Sequence, residues 1–108
     1  MSDNSSFKMD LSQTGLLMFF KPYELAIMKL LWSSDRGLSS RDVWEGIDKE
    51  RSRASVINFL EEMTHEGVLD KHEITGKGGH RGIYQPKYDE QETREYLKKT
   101  FKHKLDQI

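Results

Sequence analysis

Residues 75–84 read TGKGGHRGIY, ten positions that hold four glycines, a lysine, a histidine and an arginine. The composition suits phosphate, and the kind of phosphate decides the fold. A nucleotide-cradling P-loop needs G-x-x-x-x-G-K-[ST], with the lysine and the hydroxyl opening a helix. Here Lys77 is followed by Gly78, and no helical pattern comes after it. The flanks point elsewhere. VLDKHEI at 68–74 and GIYQP at 82–86 are short extended runs, and two such runs joined by a glycine-rich loop form a β-hairpin. Pro86 ends the second strand or places it at an edge.

Upstream of the hairpin the periodicity changes to that of helices. KPYELAIMKLLWSSDRG at 21–37 opens with Pro22 at a favoured first helical position. Glu24 complements the positive end of the helix dipole. Tyr23, Ile27, Leu30 and Leu31 follow helical spacing, Leu25, Met28 and Trp32 widen the apolar face, and Gly37 is the expected stop. LSSRDVWEGIDKE at 38–50 has Ser39 or Ser40 as cap, with Asp42 three on from Ser39, and Val43, Trp44 and Ile47 facing inward. Gly46 inside it is expected to let another helix come close, at a cost of roughly 1 kcal/mol against alanine. SRASVINFLEEMTHEG at 52–67 starts on Ser52, carries Val56, Phe59, Leu60 and Met63 at i, i+3, i+4 and i+7 positions, and ends on Gly67. A short turn around 50–52 joins the second and third helices as a helix-turn-helix. Past the hairpin, DEQETREYLKKTFKHKLDQI at 89–108 reads as a last helix capped by Asp89 with Glu92 three on.

The order helix, helix, helix, hairpin, helix defines a mainly α fold with a small β-hairpin, an α+β winged helix-turn-helix with an added C-terminal helix. Three segments are expected. Residues 1–19 form an N-terminal extension that is polar and disordered to about residue 10. Residues 20–88 form the winged-helix domain, and 89–108 the last helix. GLLMFF at 15–20 is too short for periodicity to separate strand from helix. It is read as core, with a place in a dimer seam as the sharper alternative.

Composition narrows the function. The 108 residues are 35% hydrophobic and 32% charged, enough for one modest core under a very polar surface. There are no cysteines, so disulfides, thiolate metal sites and cysteine nucleophiles are ruled out, and with them regulation through thiolate-bound metal or thiol redox. The longest apolar run, Leu16–Phe20, is far below the roughly 18 residues of a membrane span. A soluble cytoplasmic protein is therefore expected. No nucleophile, base and orienting group assemble into a recognisable catalytic site, and the four histidines lack metal-ligand spacing. The chain is thus read as no enzyme, with no cofactor and no metal. The net charge of −1 argues mildly against nucleic acid. The charge is uneven, however: 71–88 carries four cations against Glu73 alone, and 98–104 carries four lysines and no acid. A near-neutral total can hide a basic face.

The first helix, FKPYELAIMKLLW, resembles that of the penicillinase and methicillin-resistance repressors and their copper-transport relatives. Pro22, Glu24, Ile27, Met28, Lys29, Leu31 and Trp32 carry the likeness, with Lys21 where threonine is usual. SSRDVWEGI resembles that family's second helix, ASVINFLEEMTHEGVL its recognition helix and exit into the wing, and IYQP the wing's close. The resemblance spans about Phe20 to Pro86 and implies a winged-helix fold and DNA binding. The wing here is richer in glycine than is usual there, and the cysteine motif of the copper branch is absent. Multidrug-response and phenolic-acid regulators share the general pattern.

In such a fold the third helix enters the major groove and its N-terminal half meets the bases. Arg53, Ala54, Ser55 and Asn58 are the candidates there. Arginine reads guanine and asparagine reads adenine with paired bonds, and Ala54 suits a thymine methyl. Lys77, His80 and Arg81 in the wing, with Arg41 and Arg51 beside the turn, are candidates for phosphate. Glu61, Glu62 and Glu66 fall in the far half of the helix. Leu97, Phe101, Leu105 and Ile108 make a narrow stripe on the last helix, read as a homodimer contact because it is far from the core elements in sequence. The leading expectation is a sequence-specific repressor of double-stranded DNA with no membrane partner. The sequence names no small-molecule effector, and a bound small molecule, proteolysis and a change in protein level stay open as means of regulation. The alternative is a winged helix that docks proteins of the transcription machinery without touching DNA.

Overall fold

The computed structural model describes residues 7–76 and 79–108. A 3-10 turn over Gly15–Met18 leads into α1 (Pro22–Ser33), β1 (Leu38–Ser39), α2 (Ser40–Gly46), α3 (Arg53–Glu66), β2 (Leu69–Gly76), β3 (Gly79–Pro86) and α4 (Glu90–Leu105). The helix starts follow from local chemistry. The backbone N–H of Lys21 donates to Glu24 Oε1 at 2.8 Å, ahead of Pro22. Ser39 and Asp42 cap α2 reciprocally, as do Asp89 and Glu92 for α4. Ser52 Oγ accepts from the N–H of Ser55 to start α3, and Gly67 ends it in the left-handed conformation at φ 85°.

β3 is the centre of a three-stranded antiparallel sheet in the order β1-β3-β2. The two-residue strand β1, with Leu38 opposite Tyr84 and Ser39 opposite Ile83, was not anticipated, since two residues carry no period. It also corrects the role of Gly37. α1 ends four residues earlier, at Ser33, and Gly37 is no helix cap. A Cβ on Gly37 would lie 2.3 Å from Ile83 Cγ2, so the glycine is needed for β1 to meet β3. Gly46 closes α2, which stops short of the 38–50 span expected for it. A Cβ there would lie 2.4 Å from Leu30 Cδ2, so the glycine does admit a neighbouring helix, α1. The chain then turns to α3 through Asp48 and Lys49, both at φ 57°.

One core gathers Ile27, Met28 and Leu31 of α1, Val43 and Ile47 around α2, Val56, Phe59, Leu60 and Met63 of α3, and Tyr84 of β3. Both chain ends contribute to it. Phe7 is buried edge-on against Phe20, centroids 5.7 Å apart. The order therefore reaches further toward the N-terminus than expected, because one aromatic ring buries enough apolar area to hold a short polar segment down. Residues 1–6 lie outside the described part. Leu16 and Phe20 of GLLMFF are core, as the plainer reading held. Leu97 and Phe101, assigned to a partner's surface, are instead 1% and 9% exposed within their own chain, and the Phe101 ring lies 4.9 Å from that of Phe19. α4 is anchored further by Trp32 Nε1 donating to Tyr88 O at 3.2 Å and by Lys29–Glu90 at 3.7 Å. Sequence distance misled here: the N-terminal aromatics fold across and form the surface on which α4 closes. Only Leu105 and Ile108 of the stripe remain outside, 53% and 100% exposed.

Candidate nucleic-acid interface

The hairpin extends in register from Leu69↔Pro86 to Gly76↔Gly79. Most of TGKGGHRGIY is therefore strand rather than loop. Lys77 lies outside the described residues. His80 pairs with Thr75 in the ladder, and Arg81, opposite Ile74, is exposed.

On α3, the inward residues Val56, Phe59, Leu60 and Met63 leave Arg53, Ala54, Ile57, Asn58 and Glu61 toward solvent, as the 3.6-residue repeat requires. Arg53, Ala54 and Asn58 are exposed as expected, and Arg53 Nη2 donates to Ser40 Oγ at 3.4 Å, which links it to α2. Ser55 is half-buried, and its hydroxyl accepts from Ser52 Oγ at 3.1 Å. It belongs to the helix cap rather than to the free surface. Arg41 sits 3.7 Å from Glu45 of its own helix. The Arg51 guanidinium lies over the Tyr23 ring at 4.6 Å, where stacking fixes its direction. Ile57, not singled out from the sequence, is 36% exposed beside these residues. An isolated isoleucine between an arginine and an asparagine gives no periodic signal, and only its outward position draws notice.

The acids are placed differently from the simple division along the helix. Glu61 lies one turn past Ile57 on the outward side, but its carboxylate is occupied. Tyr84 Oη donates to Glu61 Oε2, and Lys71 Nζ approaches the same oxygen at 2.9 Å. The Tyr84 hydroxyl first and the Lys71 ammonium second hold the Glu61 carboxyl below the usual carboxylate range. Burial, then Glu61, pushes the Tyr84 phenol up to about 12. On α2 the backbone N–H of Ser39 is the main cause that holds the Asp42 carboxyl low. Arg36, 3.8 Å away, and Arg81 of the wing add to it. The outward face of α3 and the wing thus offers guanidinium and amide donors, one small apolar patch and, at Glu61, a paired carboxylate. Such a surface can accept phosphate and read base edges.

The sequence model of the penicillinase repressor matches residues 21–108. The chain belongs to the penicillinase repressor family. It is a DNA-binding transcriptional regulator of the repressor kind, and the winged helix with its three-stranded sheet is the fold of that function here. No curated protein matches the chain significantly. Among solved structures, a possible transcriptional regulator from Methanosarcina mazei Go1 superposes with a TM-score of 0.67 at 17% identity, covering 82% of this chain and 72% of that one. The ferric uptake regulator of Pseudomonas aeruginosa gives 0.54 at 18% identity over 62% of this chain and 51% of that one. The ferric uptake regulator of Vibrio cholerae gives 0.53 at 14% over 68% and 56%. At these identities the likeness to this repressor-family chain is one of fold. Among the described residues, no helix is long and apolar enough to cross a membrane.

Proposed function

We propose that this family member represses by laying the N-terminal half of α3 in the major groove and the wing along the adjacent backbone. The observation that carries the reading is the outward face of α3. Arg53, Ala54, Ile57 and Asn58 are exposed there, the first two turns of the helix carry no acid, and the Glu61 carboxylate one turn past Ile57 is already paired. Asn58 and Arg53 are assigned to base edges, with Ala54 and Ile57 against thymine methyls. Arg81, together with Lys77 and His80 from the sequence, is assigned to phosphate, and Arg41 and Arg51 flank the groove as backbone contacts. The protein acts as a homodimer, because two half-sites one helical turn apart double the contacts. The support for a dimer seam is the exposed pair Leu105 and Ile108, continuous with the α4 stripe beyond Phe101.

Operators selected from random duplex supply the test. Asn58→Ala should cost roughly 1–3 kcal/mol at particular base pairs. Arg81→Ala should weaken binding to every sequence and reduce the salt slope by about one. Uniform loss for both variants across all operator sequences would defeat this division of labour. A salt-independent interaction of the unmutated chain with duplex would instead favour a protein-docking module.

A further inference from the structure

Glu61 is an unexpected residue on a helix that faces DNA. A carboxylate on that side repels phosphate, and its removal should raise affinity on charge alone. The structure surrounds it with a bridge to the wing. Tyr84, on the central strand β3, is 3% exposed, with its ring in the core and its hydroxyl donating to Glu61 Oε2. Lys71, directly opposite Tyr84 in the β2–β3 register, reaches the same oxygen at 2.9 Å, is 3.6 Å from Glu73, and passes its ammonium 5.6 Å from the Tyr84 ring centroid. Gly82 leaves room for this path: a Cβ there would lie 2.7 Å from Lys71 Cε, so the end of the lysine side chain would have to shift. Three elements, α3, β2 and β3, therefore meet at one carboxylate, and the anchor of the bridge is a ring that the core holds still.

We propose that Glu61 is a positioning residue: through Tyr84 and Lys71 it sets the angle between the recognition helix and the wing. The inference rests on the DNA-docking reading above. Two rigid parts must engage a groove and a backbone at once, and a wing free to swing loses ordering entropy on binding. The bridge removes that loss before DNA arrives. It also cancels the charge that would otherwise make Glu61 harmful.

The test is binding of the full chain to a random-sequence duplex, followed by fluorescence anisotropy across a salt series. Glu61→Ala and Tyr84→Phe are compared with Glu62→Ala, an exposed acid next to Glu61 on the same helix. Thermal unfolding of each variant verifies that it is folded. The expected result is opposite signs. Glu62→Ala binds more tightly, whereas Glu61→Ala and Tyr84→Phe bind about threefold or more weakly, with the salt slope shallower by about 0.9 for each phosphate contact that the wing no longer makes. Glu61→Gln keeps an acceptor for the Tyr84 hydroxyl and should recover much of the loss. Tighter binding by Glu61→Ala, matching Glu62→Ala, overturns the proposal. So does a change of preferred base at a single position when Glu61→Ala is tested on the operators selected by the unmutated chain, which would make Glu61 a base reader. Salt-independent binding by the unmutated chain is a separate result that removes the docking reading itself, and this inference with it.

Discussion

Replacement of Leu97 by alanine separates a helix that completes its own domain from one reserved for a partner. Leu97 is 1% exposed on α4, in the same core as Phe20 and Leu31. Truncation deletes buried methyl groups and leaves a cavity that neighbours fill only partly, and such leucine-to-alanine changes cost about 2–5 kcal/mol. Leu97 projects from α4 into that core, and the helix that carries it can shift inward to fill part of the space. A loss of about 2–4 kcal/mol is therefore expected. In a domain of this size that corresponds to a fall in melting temperature of very roughly 10 to 25 °C. Urea unfolding followed by circular dichroism at two protein concentrations a hundredfold apart is the assay. A core residue lowers the midpoint equally at both. Leu105→Glu, at a position 53% exposed, should leave the dilute midpoint nearly unchanged and erase any gain at the higher concentration. If Leu97→Ala were harmless in the dilute sample and costly only in the concentrated one, Leu97 would be a partner contact and the packing argument would be wrong. Cutting the chain after Tyr88 cannot make this distinction, because it removes Leu97 and Phe101 from the core along with the stripe.

Gly37→Ala should destabilise by about 1–3 kcal/mol in thermal melts, because the new methyl meets the stiff, β-branched Ile83 with the Tyr84 carbonyl close behind; an unchanged melt would mean that β1 is free to move away. Lys49→Gly should stabilise by about 0.5–1 kcal/mol, since φ 57° strains a residue with a Cβ; a loss of stability would show that the Lys49 ammonium over Trp44, 4.8 Å from its ring, matters more than the backbone. The Asp42 carboxyl is held below its ordinary 3.8, so its contribution is present above that value and disappears as pH falls through the lower folded-state pKa. Asp42→Asn should accordingly flatten the acid side of the urea midpoint against pH below about 4 and leave the neutral side's slope alone; an identical acid limb in both proteins would assign the acid sensitivity elsewhere.

The parts of this protein that short-range chemistry controls were legible in the chain. Ser39 with Asp42, Ser52, Gly67, and Asp89 with Glu92 act within one helical turn, so their spacing alone predicts the helix starts and the stop that the structure contains. The inward faces of α1 and α3 follow from a 3.6-residue period, and the hairpin from two extended runs around glycines. Once the inward face of α3 is known, the outward positions of Arg53, Ala54 and Asn58 follow by geometry. Tertiary structure decided what depends on partners distant in the chain. Gly37 looks like a helix stop until Ile83 of β3 lies against it, and β1 exists only because β3 is there to pair with it. Leu97 and Phe101 look like an unused stripe until the N-terminal aromatics fold over to meet them. Glu61 looks like one more acid on a polar helix until β2 and β3 bring Lys71 and Tyr84 to it. The physical reason is the same in each case: capping and periodicity are set by a few neighbouring dihedrals, whereas burial and charge pairing are set by which surfaces the whole chain brings into contact.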